Sequence, residues 1–234
     1  MQQQTVPRAS PREPEPRLLL PKPLRRAAAA LVAACVVLTV GLVVYLAGLD
    51  HSSWLDTSLD PRIQAAMDRF PGLEWRLPYL GTLGPVTLMT LALIVACLAT
   101  RRWSAAVLAA VAVPAAVFLT EYVLKPYVGG VIGQGLPSGH ATSMFALAAM
   151  CAVLLADPPR RPLARAALLL LELLALVLAV AVSAAMVGIG AHKFTDVVAG
   201  AAVGTGVVLA CALVLDPVTS RARRALAARS APDG

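Results

Sequence analysis

Six long apolar runs, separated by short polar or basic segments, divide the chain. Each run approaches or exceeds the ~20 residues that a helix needs to cross a bilayer. Proline, arginine and glycine lie between the runs and are typical of helix ends. The pattern therefore predicts an all-α bundle of six transmembrane helices within residues 27–215, at 27–49, 81–100, 103–122, 137–156, 166–186 and 195–215.

The segments outside the bundle are basic. Residues 1–26 are rich in Pro, Arg and Gln and show no apolar periodicity, which predicts a disordered tail. The apolar run that follows is too long for a cleavable signal peptide and has no clear small-residue cleavage site. Residues 216–234 form a second basic tail.

Residues 50–80 form the one sizeable predicted loop, and it mixes charged with apolar residues. Its part around residues 63–70 can form an amphipathic helix that lies in the membrane interface, with Trp54, Trp75 and Tyr79 as anchors. Two roles remain open for this loop. It is a structural cap on the bundle, or a lid over a lipid substrate.

Composition and charge support a membrane protein and set its orientation. The chain is 59% hydrophobic and 14% charged, and its mean hydropathy is +0.76. Fifteen of the 20 Lys and Arg residues fall in the two tails and in the loops on the same side as the tails. Positive charge marks cytoplasmic segments, so both termini are predicted in the cytoplasm. The net charge of +7 is therefore a topology feature and does not indicate nucleic-acid binding. The four cysteines stand singly in apolar runs and indicate neither disulfides nor a metal site.

The residues able to do chemistry collect on the opposite, extracytoplasmic side. Lys125 ends the third predicted span there, and Pro137-Ser138-Gly139-His140 opens the fourth. Backbone N–H groups at a helix start bind phosphate, and a histidine exchanges protons near neutral pH. Two crossings later His192 returns to the same side, with Asp196 four residues further on, at the spacing of one helix face. A carboxylate beside an imidazole orients it and raises its basicity.

Each of these residues also has a simpler explanation. Lys125 can be a lysine that extends from a helix end toward the head groups. His192 and Asp196 can be a solvated helix cap, with the carboxylate offsetting the helix dipole. Their joint position on one side of the membrane favours a site.

This arrangement resembles the type 2 phosphatidic acid phosphatase (PAP2) superfamily of membrane lipid phosphatases. That family carries the motifs K-x6-R-P, P-S-G-H and S-R-x5-H-x3-D. The second motif is intact at residues 137–140, the third keeps its H-x3-D half at residues 192–196, and the first keeps Lys125. The resemblance covers residues 81–215.

The resemblance implies a role for each matching residue. His192 would be the nucleophile that forms a phosphohistidine, oriented by Asp196, and His140 would be the general acid. Lys125, Ser138 and the backbone of Gly139 would hold the phosphate oxygens. No cofactor or metal is implied, because cationic and N–H donors can stabilise a transferring phosphoryl group.

Two arginines of the family pattern are absent. Ile132 and Gly133 stand where the first motif has Arg-Pro, and Ala185 and Met186 stand where the third has Ser-Arg. A bidentate arginine supplies charge and orientation to a phosphate that other groups reproduce poorly. Lys193 and Arg76 are the candidate substitutes.

The sequence leaves two functions open. The first is a phosphatase of the cell membrane that removes phosphate from a lipid phosphate or diphosphate at the outer leaflet; polyprenyl diphosphate, polyprenyl phosphate, phosphatidic acid and phosphatidylglycerol phosphate are all candidates. The second is a non-catalytic PAP2-like protein that binds a phospholipid head group or a partner protein. A transporter is a weaker alternative, because no pair of broken helices occupies matching halves.

Two further features concern the bundle itself. Glu172 lies among leucines within the fifth span, far from the predicted site, and is given no catalytic role. Gly200, Gly204 and Gly206 form a small-residue face on the sixth span, which predicts close helix packing.

Overall fold

A computed structural model describes residues 19–49, 53–132, 135–159 and 161–229, except for the side chains of residues 129–132 and 217–229. Every regular element within these residues is helical. In chain order they are α1 (Lys22–Ala47), α2 (Trp54–Met67), α3 (Leu73–Leu80), α4 (Leu83–Ala99), α5 (Trp103–Phe118), a π-helical turn (Leu119–Leu124), α6 (Lys125–Ile132), α7 (Gly139–Ala156), α8 (Pro162–Gly188) and α9 (Phe194–Arg229).

The membrane-length helices coincide with the six predicted spans. Within the described residues, five helical stretches are long and apolar enough to cross a bilayer, and α3 with α4 makes a sixth when this pair, bent by 52°, is taken as one span. The prediction of an all-α, multi-pass membrane fold is confirmed. The third span continues from α5 through the π turn into α6 rather than ending at residue 122.

Helix α7 is the centre of the bundle. In its membrane-length window 67% of the residues are buried, against 17% in α1 and in α8. Its sequence is rich in alanine, and small side chains let α5, α8 and α9 pack around it.

Glycines on α9 bring it against α7. A Cβ at Gly200 would overlap the carbonyl oxygen of Ser138, and one at Gly204 would overlap that of Thr142. Gly206 faces Cys35 of α1, where a Cβ would lie 3.1 Å from the cysteine Cβ. The predicted close packing is confirmed, but the three glycines do not share one face: Gly200 and Gly204 contact the backbone of α7, whereas Gly206 faces α1.

Residues 54–80 form two helices, α2 and α3, and the helix predicted around residues 63–70 coincides only with the end of α2, which stops at Met67. Ser53 caps α2 by accepting a hydrogen bond from the N–H of Asp56 at 3.1 Å. The chain then turns at Gly72, whose φ of 90° favours glycine, and continues as α3. Trp54, Trp75 and Tyr79 are exposed, as interfacial anchors would be. Residues 50–52 lie outside the described residues.

The helices extend further than expected at both ends of the chain. α1 begins at Lys22 rather than at residue 27, and Leu19 and Leu20 before it are buried. Their N–H groups donate to the buried carboxylate of Asp216, at 2.7 and 3.0 Å. α9 continues past residue 215 to Arg229. The rest of the predicted N-terminal tail, residues 1–18, lies outside the described residues.

Glu172 lies on α8, within electrostatic reach of Cys151 on α7. Its Oε2 atom is buried without a hydrogen-bond partner among the described residues. The Glu172 carboxylate therefore faces the interior of the bundle.

Candidate active site

One end of the bundle brings together the three segments singled out in the sequence. Lys125 begins α6, Ser138 and Gly139 begin α7, and His192 lies in the turn between α8 and α9. The N–H of Ser138 donates to the carbonyl oxygen of Asp196 at 3.0 Å, which joins the second segment directly to the third. The Lys125 ammonium lies 3.4 Å from where a Cβ of Gly139 would be, which joins the first segment to the second.

His192 and Asp196 form a hydrogen-bonded pair. Their Nδ1 and Oδ2 atoms are 3.2 Å apart, and both side chains are nearly buried, with 11% and 4% exposed. His192 precedes the first turn of α9 instead of sharing a helix face with Asp196. The same carboxylate oxygen also accepts the N–H of Lys193 at 3.0 Å, so Asp196 closes the turn. Because Nδ1 faces the carboxylate, Nε2 is the ring nitrogen left for a substrate.

One backbone contact holds the His192 main chain and another lies against its ring. The N–H of His192 donates to the carbonyl oxygen of Met186 at 3.1 Å. Gly135 lies flat against the ring, because a Cβ there would be 3.2 Å from Cε1. The hydrogen bond to Asp196 and the backbone of Gly135 therefore limit the orientations that the imidazole can take.

Ser138 is the N-cap of α7, so Pro137 lies outside the helix. The prediction that Pro137 belongs to the first turn of this helix is wrong. The Ser138 side chain is fully buried and accepts the N–H of Ala141 at 3.5 Å. An N-cap serine satisfies one of the free N–H groups of a helix start, which explains why α7 begins one residue after it. A contact of Ser138 with phosphate stays a prediction.

His140 lies at the edge of a cavity of 370 Å³. Its ring packs against Gly81, where a Cβ would lie 2.8 Å from Cδ2. It is within electrostatic reach of His192, Lys125 and Glu121. The cavity is lined by polar residues, among them Glu121 and Ser143, and by apolar residues, among them Leu83, Val86 and Val117.

Glu121 is a site residue that the sequence analysis missed. Both of its carboxylate oxygens bind the Lys125 ammonium, at 2.6 and 2.8 Å. It lies in the π turn, where the N–H of Lys125 donates to the carbonyl oxygen of Thr120. Pro126 explains this turn: it has no N–H to offer Tyr122 four residues earlier, and its ring crowds that carbonyl. The local widening of the helix aims Glu121 and Lys125 at the start of α7.

Two carboxylates of α2 hold the start of α9 and were also missed. The buried Asp56 accepts the N–H of Thr195 at 2.9 Å and its hydroxyl at 3.1 Å. Asp60 accepts the N–H of Phe194 at 2.9 Å. Burial and the nearby carboxylates of Asp56 and Asp196 raise the pKa of Asp60, whereas the Phe194 N–H and Lys193 oppose that rise. Helix α2 is thus attached to the turn that carries His192, which supports the structural-cap role of this loop.

The two proposed substitutes for the missing arginines lie in different surroundings. Lys193 is half-buried and within electrostatic reach of Asp60. Arg76 is exposed on α3, and no hydrogen bond or ion pair joins it to the site within the described part of the chain. Met186 and Ala185 are buried beneath His192. The roles of Lys193 and Arg76 stay predictions.

The described residues contain no group of three or more His, Cys, Asp or Glu side chains arranged to hold a metal ion.

Residues 119–219 match the family model of the PAP2 superfamily. This segment, which makes up less than half of the chain, is similar to the PAP2 superfamily. The match begins at the π turn and includes Lys125, the Pro137–His140 segment, His192 and Asp196. No curated protein and no solved structure matches the chain.

The matched segment is smaller than the structural site. Asp56, Asp60 and Gly81 lie outside residues 119–219, and all three contact residues within that segment. The resemblance therefore leads to the histidines and to Lys125 but not to the residues from α2–α4 that support them.

Proposed function

We propose that this membrane protein is a lipid phosphate phosphatase that works through a phosphohistidine on His192. The observation that carries the proposal is the oriented His192–Asp196 pair in the PAP2-like segment, at the end of the bundle that also holds His140 and Lys125. A neutral imidazole with one nitrogen held by a carboxylate is a competent nucleophile at the other.

In the first step, the Nε2 lone pair of His192 attacks phosphorus and the bond from phosphorus to the lipid oxygen breaks. Protonated His140 gives its proton to that leaving oxygen. In the second step, water attacks the phosphohistidine, the phosphorus–nitrogen bond breaks, and His140 takes a proton from the water. Lys125 and the N–H groups at the start of α7 would stabilise the charge on the transferring phosphoryl group.

The proposed substrate is a membrane lipid with a phosphate or diphosphate head, at the outer leaflet of the cell membrane. The cavity beside His140 is lined by both polar and apolar residues, which suits a head group attached to a lipid chain. Polyprenyl diphosphate, polyprenyl phosphate and phosphatidic acid all meet this description. The outward orientation follows from the excess of Lys and Arg on the side of the two tails.

A specific observation favours a second candidate, a non-catalytic protein that binds a phospholipid head group. Lys125 is already paired with Glu121, and the position of one family arginine is the buried, uncharged Met186. Such a site holds a phosphate less firmly than a site with two guanidinium groups.

Phosphate release separates the two candidates. Purified protein in detergent, given a panel of lipid monophosphates and diphosphates, is expected to release inorganic phosphate from at least one of them. Saturable binding of the same lipids without release would support the non-catalytic candidate and overturn the enzyme.

Thiol labelling tests the orientation. Ala191 is exposed and next to His192, so Ala191→Cys presents a thiol at the site end of the bundle. We expect an impermeant maleimide added to intact cells to label it, while the four native cysteines, which lie within the spans, stay unlabelled. Labelling only after permeabilisation would reverse the orientation.

A further inference from the structure

We infer that Glu121 determines substrate specificity: it makes the phosphate subsite select lipid monophosphates over diphosphates. The inference rests on the proposed function and goes further, because nothing in the family resemblance assigns a role to this residue. It follows from where the carboxylate lies, what it binds and which charges are missing around it.

The Glu121 carboxylate occupies the position expected for a phosphate. One of its oxygens lies against Gly139, so close that a Cβ on this residue would overlap it. The same carboxylate holds the Lys125 ammonium with both oxygens. Gly139 and Lys125 are the two groups expected to bind phosphate oxygens. The Glu121 carboxylate is therefore a negative charge of the protein itself that occupies the proposed phosphate site.

The backbone around Glu121 holds this residue at the site. Its π turn is followed directly by α6, and Thr120 beside it is fully buried and donates to the Thr142 hydroxyl of α7 at 3.1 Å. Glu121 itself keeps 36% of its side chain exposed, so the carboxylate can swing toward the cavity when a ligand enters. A phosphate can therefore displace the carboxylate from Lys125, but it cannot remove the charge from the vicinity.

The charge of the subsite follows from this pair. Glu121 neutralises Lys125, and Ile132 and Met186 stand where the family pattern has arginines. A phosphate monoester carries a charge of roughly −1.5 to −2 at neutral pH, and a diphosphate carries more. Each additional negative charge on the substrate is repelled by Glu121, and neither family position carries an arginine to offset that repulsion. Lipid monophosphates are therefore the favoured substrate class.

Glu121→Gln tests the inference, because it keeps the size of the side chain and removes the charge. We expect KM to fall for both substrate classes, by about threefold for a lipid monophosphate and by about tenfold or more for the diphosphate of the same lipid. Asp68→Asn, which changes the same charge on the exposed turn after α2, is the control and should leave both KM values unchanged. Equal KM changes for the two substrates, or none, would overturn the inference.

A binding measurement keeps this test separate from the proposed function. Inorganic phosphate and methylenediphosphonate are added to the wild type and to Glu121→Gln, and the rise in melting temperature is recorded in detergent. The variant should be stabilised more than the wild type, and the difference should be larger for the diphosphonate. If neither protein turns over lipid but this difference appears, the enzyme proposal fails and the subsite inference stands.

If both proteins release phosphate but the ligands stabilise them equally, the enzyme proposal stands and the subsite inference fails.

If Glu121→Gln does not fold, Glu121→Asp provides the second variant. Its shorter side chain moves the charge away from Gly139, and the diphosphate KM should fall by about threefold. An unchanged diphosphate KM in Glu121→Asp would overturn the inference.

Discussion

Replacing His192 with alanine is expected to lower phosphate release by at least about a thousandfold, which corresponds to about 4 kcal/mol of transition-state stabilisation. The alanine has no nitrogen to accept the phosphoryl group, so the covalent intermediate cannot form. The decisive measurement uses lipid labelled with ³²P in the terminal phosphate and a rapid quench in base, where a phosphohistidine survives. Wild-type protein should carry label, and His192→Ala should carry none.

Asp196→Asn is the matched control for this experiment. It keeps the size of the partner side chain at 3.2 Å from Nδ1 but removes the charge that orients and polarises the ring. The variant should label more slowly than the wild type and still label. Label retained in His192→Ala would contradict the proposed nucleophile, whatever the effect of Asp196→Asn.

The second large effect concerns stability. Gly204→Ala is expected to lower the free energy of unfolding by about 2–4 kcal/mol, because its Cβ would overlap the carbonyl oxygen of Thr142 and force α7 and α9 apart. A backbone atom cannot swing aside as the end of a side chain can. Thermal unfolding in detergent, followed by intrinsic fluorescence, measures the change.

Gly41→Ala is the matched control for Gly204→Ala. It makes the same substitution within a membrane-length helix, and a Cβ at Gly41 meets nothing within 4 Å. Alanine favours a helix over glycine by up to about 1 kcal/mol, so this variant should be as stable as the wild type or more stable. If both variants unfold at the same temperature, the close backbone contact does not limit stability.

The parts of the molecule that were predictable from sequence are those encoded locally. A run of apolar residues predicts a span wherever it lies, so all six spans were found. The short H-x3-D spacing also keeps His192 and Asp196 close together, although His192 lies in the turn before α9 and not on a shared helix face as predicted. Threading these segments through the membrane was then enough to predict that Lys125, His140 and His192 meet at one end.

The parts that were missed depend on contacts across the chain. Asp56 and Thr195 are 139 residues apart, and nothing in the sequence around either predicts their hydrogen bond. Glu121 is a different case. Its spacing of four residues to Lys125 is visible in the sequence, but its contact with Gly139 depends on the π turn that Pro126 imposes. The sequence placed the start of α7 at Pro137. The helix begins after Ser138 instead, because the Ser138 hydroxyl accepts the free N–H of Ala141.

The attachment of Asp56 and Asp60 to the first turn of α9 has a consequence for modularity. The segment that carries the family pattern, residues 119–219, contains every proposed catalytic residue but not the two acids that hold the turn before Thr195. Excised alone, that segment would leave the first N–H groups of α9 without their partners and the His192 turn without its support. Helix α2 therefore belongs to the same structural unit as the His192 turn rather than to a replaceable loop. The start of α1, which binds Asp216 of α9, belongs to that unit as well.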